Sequence, residues 1–278
     1  MSVGSATAGV PPAWRRALRW LGLGLVLLAG LFFLQSVVAQ MEAFRSLDWT
    51  PGSLLALLLT AGIMLLVVVL GGLMWWVLLR DQGAPASVRT AIEIVALAQL
   101  AKYLPGNVGH VLGQVSLAGA AGIPVATAIA TVLISTLWLL AVGLGVAGLA
   151  LLLLVDLPQL SHIGPGGLLL AGIALAASPW LGIAVLNRHL PGLAIRLGRG
   201  QPLRQPGWFA GLALGAGFLF CFLLFGIMLL IQARFVFQVT DADLFTLTVL
   251  FTAAWVVGYV VPGAPGGLGV REALMVLL

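Results

Sequence analysis

The 278-residue chain is 62% hydrophobic and 8% charged, with a mean hydropathy of +1.17. A soluble globular domain carries about 25% charged residues, so that class is excluded, and several apolar runs long enough to cross a ~30 Å hydrocarbon core mark a polytopic membrane protein. The net charge of +5 would suit a nucleic-acid partner only if it were clustered, and the single Cys221 excludes an intramolecular disulfide framework.

Six spans are predicted, at 17–38, 53–79, 123–154, 166–186, 208–232 and 244–262. A seventh apolar run begins at Leu268 and is still apolar at Leu278, so 1–278 reads as a single integral membrane domain, expected to be truncated at its C-terminus. The first span has a signal-peptide alternative, because Arg15, Arg16 and Arg19 precede it and Val37-Val38-Ala39 resembles a cleavage site. Its length and the spans that follow favour an uncleaved anchor. The run 123–154 would be roughly 48 Å long as one straight helix, so it is expected to tilt, protrude or break, with Gly143, Gly145 and Gly148 as the place for a break.

Basic residues set the orientation. With the N-terminus inside, the cytoplasmic pieces hold Arg15, Arg16, Arg19, Arg80, Arg89, Lys102, Arg188, Arg196, Arg199 and Arg204, and the outer loops hold only Arg45 and Arg234. The expected location is therefore a bacterial-type inner membrane, multi-pass, with a cytoplasmic N-terminus and no nucleic-acid partner. Trp14, Trp20, Trp49, Trp75, Trp76, Trp180 and Trp208 fall near predicted interfaces as an aromatic belt would, whereas Trp138 and Trp255 fall mid-span and read as packing residues.

The segment 87–122 is the informative one. Ser87 can cap a helix running to about Leu104, Pro105-Gly106 ends it, and a second helix runs from Asn107 or Val108 to about Gly122. Each is too short to span comfortably. A single crossing here would place the arginine-rich 187–206 loop outside, against the charge bias, which leaves a re-entrant hairpin or two short crossings. The hairpin keeps the Pro-Gly bend inside protein or a wet cavity, where irregular backbone is tolerated.

Polar residues gather at this break. Lys102, Tyr103, Pro105 and Gly106 are followed by Asn107, His110 and Gln114, whose spacing of three and four puts them on one helical face. Near the other end, Pro265, Gly266, Gly267 and Gly269 precede Arg271 and Glu272. A helix that starts in mid-membrane directs unpaired N–H groups and a positive dipole end at its surroundings, an arrangement that suits a phosphate. Two Pro-Gly-broken helices at matching positions suggest an internal repeat with the site at the repeat interface. The plainer alternative is that glycine pairs such as Gly109/Gly113 and Gly211/Gly215 permit close helix contact while Lys102 and Arg271 snorkel to the interface.

The sequences KYLPGNVGH (102–110) and PGGLGVREA (265–273), in this order on this hydropathy profile, resemble the lysylphosphatidylglycerol synthase transmembrane-region family of flippase-like membrane proteins. The resemblance covers the chain from about residue 20 onward. It implies an all-α polytopic fold of about six to seven transmembrane helices plus the re-entrant hairpin. In the family's bifunctional members the membrane domain is associated with moving aminoacylated phosphatidylglycerol between leaflets, and a separate soluble domain makes that lipid. Stand-alone relatives are linked to lipid, hopanoid or polyprenyl-glycan pathways. The residues carried over are Lys102, Tyr103, Pro105, Gly106, His110, Pro265, Gly266, Gly267, Gly269, Arg271 and Glu272. No soluble synthase domain follows in this sequence, so aminoacyl transfer by this polypeptide is not expected.

These readings lead to a lipid translocase whose Lys102 and Arg271 hold a phosphate-bearing headgroup, of a phospholipid or a polyprenyl-phosphate-type lipid. Glu93 or Glu272 would neutralise an arginine or meet a cationic group. A second reading is a lipid-modifying transferase with His110 as base and Glu93 as its orienter. A third is a non-transporting subunit that recruits a lipid or glycan synthase through 187–206; a homo-oligomer is also open. No Walker loop, His-Glu-x-x-His, clustered metal ligands or Gly-x-Ser-x-Gly occurs, so no cofactor, metal or catalytic residue is expected.

Overall fold

The structure, a computed structural model, describes residues 49–84, 86–100, 109–154, 165–197 and 203–260, together with residues 38, 41, 271, 274 and 275. The described residues form eight helices and no strand: α1 (Pro51–Asp81), α2 (Val88–Leu100), α3 (Gly109–Ala120), α4 (Val125–Leu154), α5 (Pro165–His189), α6 (Pro191–Leu197), α7 (Trp208–Phe235) and α8 (Leu244–Val260). Four contain stretches long and apolar enough to cross a membrane, namely all of α1, Val125–Gly148 in α4, Leu170–His189 in α5 and all of α7. The protein is an all-α, multi-pass membrane protein. The sixth expected span, α8, is shorter at 17 residues. The expected first span lies outside the described residues except for its last position, and so does most of the run after Leu268.

Local chemistry sets the helix limits. Thr50 and Ser53 form a capping box at the start of α1, with Ser53 N–H donating to Thr50 Oγ1 at 3.1 Å and Thr50 N–H to Ser53 Oγ at 2.9 Å, and Pro51 takes the first turn. The helix ends where Gly83 adopts φ +76° and Ala84 N–H reaches back to Leu79 O at 2.9 Å. Ser87 caps α2 as expected, accepting from Thr90 N–H at 3.0 Å. Asp243 caps α8 by accepting from Thr246 N–H at 2.9 Å, and the Thr246 side chain and backbone hold its carboxyl below the ordinary value. Gly207 opens α7 without a side-chain cap of its own, and the Asp81 carboxylate supplies one from α1, accepting from Gly207 N–H at 3.1 and 3.2 Å. Asp81 thus joins the end of α1 to the positive start of α7.

Two apolar cores flank α1. Met74 and Leu78 face Ile134 and Trp138 of α4, Ile183 of α5, and Leu214 and Cys221 of α7. Their neighbours Trp75 and Leu79 face Ala91, Ile94 and Val95 of α2, Ala118 of α3 and Ala128 of α4. The Trp75 indole N–H donates to Thr131 Oγ1 at 3.0 Å, and Thr131 donates onward to Thr127 O at 2.8 Å. Such an interhelical hydrogen bond contributes about 0.6 kcal/mol and under ~2 kcal/mol in a membrane. Along the first half of α1 only a narrow stripe, Ser53, Ala56 and Thr60, is buried, while Leu54, Leu58 and Leu65 are exposed as lipid-facing residues.

Glycines set the helix spacing. A Cβ at Gly72 would lie 2.6 Å from Ile92 Cα of α2; one at Gly143 would lie 2.6 Å from Val256 Cγ2 of α8, and one at Gly145 2.8 Å from Leu175 Cδ2 of α5. Gly211 opposes the Trp180 and Trp138 rings, Gly217 opposes Met74, and Gly226 opposes Thr248 down to its Cα. The close-contact reading of Gly211 and Gly215 therefore holds for Gly211.

Three sequence expectations are corrected. Helix α4 is continuous through Gly143, Gly145 and Gly148; the first two are small because helices approach there, not because the chain breaks. Trp75 is 2% exposed, so it packs inside the protein and is no belt residue; Trp180 is half-buried, packed edge-on against Trp138 at 4.6 Å with its indole N–H donating to Pro206 O at 3.0 Å. The region 187–206 is not a plain loop. It holds α6, and Asn187 ties its far side down by donating to Leu203 O at 2.7 Å and accepting from Leu203 N–H at 3.1 Å.

Two measurements check this packing. Gly226→Ala should lower the melting temperature in detergent, at about 1–3 kcal/mol for an overpacked contact against backbone. Gly62→Ala, with nothing within 4 Å of the new Cβ, should not. Asp81→Ala should cost about 0.5–2 kcal/mol as a lost helix cap, and Asp81→Asn less, because the amide oxygen still accepts from Gly207.

Candidate functional site

The depth of each candidate follows from helix rise. Phe222 stands at the middle of α7, about 20 Å from either end. Its ring meets Trp255 of α8 edge-on at 5.7 Å, so Trp255 also lies at mid-depth. One turn later Tyr259 stacks on Trp255 at 5.0 Å with an 18° interplanar angle, and its phenol lies beside Thr136 of α4. Thr136 is about 17 Å along α4 from Val125, in agreement with that depth.

Both polar motifs reach this aromatic pair. The His110 ring, at the start of α3, approaches Tyr259 edge-on at 6.2 Å. The guanidinium of Arg271 lies over Trp255, with Cζ 5.2 Å from the ring centroid. His110 and Arg271, far apart in the chain, are thus joined through Trp255 and Tyr259. A cation over an indole face away from water gains about 2 kcal/mol, which offsets part of the ~2.5–3.5 kcal/mol that an arginine costs at mid-membrane on insertion scales. The Arg271 guanidinium is thus level with the middle of α7.

The helices flanking the first motif meet at the same level. Ile92 packs on Gly72, and Val95 on Gly71 at 3.6 Å, as α2 runs back along α1 from the Asp81 end. Leu100 then lies about 12 Å beyond Ile92, opposite the middle of α1. From Gly109, α3 runs about 17 Å back toward Ala118 and Ile123, which share a core with Leu79 and Ala84. So α2 leaves the Asp81 end and α3 returns to it.

Gln114 is on α3 one turn beyond His110 and is half-buried. Lys102, Tyr103, Pro105, Gly106 and Asn107 lie outside the described residues, as do Pro265, Gly266, Gly267, Gly269 and Glu272. Glu93 belongs elsewhere: it is on the exposed side of α2, where its carboxylate accepts from Arg89 Nε at 2.7 Å, with side-chain exposures of 54% and 88% for the glutamate and arginine. That face is opposite the Ala91, Ile94 and Val95 stripe that packs on α1. The residues the sequence reading passed over are Trp255, assigned to packing, and Tyr259, Thr136 and Phe222. A signal existed for two of them, since Trp255 and Tyr259 are aromatics one helical turn apart leading into the second Pro-Gly segment.

The arrangement combines a positioned guanidinium, an imidazole and a phenol within an apolar bundle. These groups can donate to an oxyanion, and the surrounding apolar helices suit an acyl or prenyl chain. No curated protein and no solved structure matches this sequence. The family model described as "Lysylphosphatidylglycerol synthase TM region" matches residues 19–278, nearly the whole chain, and no soluble synthase domain is detected. The chain belongs to the lysylphosphatidylglycerol synthase transmembrane-region family.

Proposed function

We propose that this protein is a non-enzymatic lipid translocase of an inner membrane, with its N-terminus cytoplasmic, that binds a phosphate-bearing headgroup at the mid-depth cluster. The observation that carries the reading is Arg271, placed over Trp255 at the middle of the bundle and linked through Tyr259 to His110. A cation kept at that depth suits an anion that must pass it. Membership in a lipid-related membrane family supports a lipid cargo. Lys102 and the helix starts near Pro105-Gly106 and Pro265-Gly266 complete the headgroup site in this reading. The transferase alternative asked Glu93 to orient His110, and it draws no support from Glu93 bound to Arg89 on the opposite side of α2.

Reconstituted vesicles carrying a fluorescent phospholipid test the reading. The wild-type protein should move the lipid between leaflets without changing its mass. Arg271→Gln should slow movement about tenfold or more, as the ~1.5–3 kcal/mol of a hydrogen bond to a charged group implies, with little change in melting temperature. Arg271→Lys should recover part of the rate, since it keeps the charge but loses the planar two-pronged donor. A change in lipid mass would favour a transferase. Neither movement nor modification would leave the recruiting-subunit reading. A collapse of folding in Arg271→Gln would make Arg271 structural and end the proposal.

Trp255→Leu should also reduce movement, because it removes a cation–π contact worth about 0.5–2 kcal/mol. It should be milder than Arg271→Gln in the same assay.

A further inference from the structure

The hairpins α1–α2 and α7–α8 follow one plan. A shift of 154 positions (226 minus 72) carries Gly72, Met74 and Arg80 of α1 onto Gly226, Met228 and Arg234 of α7. A shift of 156 (243 minus 87) carries Ser87, Thr90, Ile92 and Tyr103 onto Asp243, Thr246, Thr248 and Tyr259. Glycine and methionine are common in apolar helices, so these identities alone would say little. The contacts, however, keep the same register.

Each second helix is capped at the same place, Ser87 accepting from Thr90 N–H at 3.0 Å and Asp243 from Thr246 N–H at 2.9 Å. Each is then seated on a glycine of the helix before it. A Cβ at Gly72 would meet Ile92 Cα at 2.6 Å, and one at Gly226 would meet Thr248 Cα at 2.9 Å. Cap and glycine seat therefore recur together, and the tyrosine recurs with them in the sequence.

The two copies run in opposite directions. Asp81 at the end of α1 holds Gly207 at the start of α7, so α1 and α7 are antiparallel. Helix α2 accordingly enters from the Asp81 end. Helix α8 enters from the other end, where Arg234 donates to Ala242 O at 3.0 Å. Both second helices reach mid-depth, and there His110, following the first, meets Tyr259 of the second.

We infer that the chain is an inverted-topology repeat whose two hairpins exchange conformations, so that the mid-depth site opens first to one side of the membrane and then to the other. The glycine seats at Gly72 and Gly226 hold each hairpin together, so the surfaces between the two hairpins, and between α8 and the α3–α4 pair, are the ones that rearrange. Two halves built alike but inverted have two arrangements of similar energy, each the mirror of the other in access, and a ligand bound between them need only bias a small gap. This deepens the proposed function, on which it rests for the identity of the cargo alone.

The test uses the full chain with Cys221→Ser and a single new thiol, Thr136→Cys, near-isosteric and beside Tyr259. A membrane-impermeant maleimide is applied to right-side-out and to inside-out vesicles. Exchange predicts labelling in both orientations. It also predicts that Gly72→Ala and Gly226→Ala, each added separately, shift the ratio of the two labelling rates in opposite directions. If these glycine variants do not fold, labelling from the two sides decides alone. Labelling from one side only, labelling from neither, or shifts in the same direction would overturn the inference. Lipid movement measured in the same vesicles separates the two claims. Movement with one-sided labelling removes the exchange and keeps the translocase, whereas two-sided labelling without movement does the reverse.

Discussion

Close approach of helix backbones at glycine is the constraint on which the rest of this structure depends. In lipid, apolar side chains gain nothing by leaving one hydrocarbon surface for another, so helices associate through contact, hydrogen bonds and the room that small residues leave. The most exposed face of α1 is leucine-rich, as a lipid-facing surface is. The faces that join helices carry Gly72, Gly143, Gly145, Gly211, Gly217 and Gly226, each filled by a neighbour's side chain or backbone. Through them α7 can touch α1, α5 and α8, and α4 can touch α5 and α8. The few interhelical hydrogen bonds, such as Trp75 to Thr131, then fix rotation and register within a spacing the glycines have already set.

The same spacing produces the polar cluster. Because Val256 occupies the space above Gly143, α8 lies against α4 closely enough to bring Tyr259 beside Thr136. With Tyr259 held, its ring supports Trp255, and Trp255 presents a face to Arg271. Each polar group in this sequence has an aromatic or hydroxyl neighbour that lowers the penalty of its burial. A charge in hydrocarbon here is thus a product of helix packing several residues away.

Much of the fold was legible in the sequence, and the limits of legibility were physical. The spans containing α1, α4, α5 and α7 are written as apolar runs of membrane length, and Ser87 and Asp243 stand where helix starts need acceptors. What an apolar run does not encode is which face meets protein and which meets lipid, because both faces are hydrophobic. For that reason Trp75 reads as a belt residue from its nearness to a helix end, and only its packing reveals it as interior. Gly143 and Gly145 were ambiguous in the same way, since a glycine that permits a break and one that admits a neighbour look alike in one chain. At the site, the pairing of His110 with Arg271 was suggested by their motifs, but Trp255 and Tyr259, which connect them, resembled ordinary span aromatics. Glu93 looked like an intramembrane acid, yet its i, i+4 neighbour Arg89 is an ordinary surface partner.

The clasp between Asp81 and Gly207 joins groups 126 positions apart. During synthesis the first hairpin is made long before its partner leaves the ribosome, so Asp81 must wait in the headgroup region, hydrated, while α4 and α5 are threaded. The Met74 face of α1, which Gly217 later covers, is without that partner for the interval. Only when the residues around Pro206 emerge can the carboxylate capture the new helix end and align α7 against α1. Assembly is therefore a late zippering of early and late segments, and α8, which is seated on α7 at Gly226, is the last described helix to find its place.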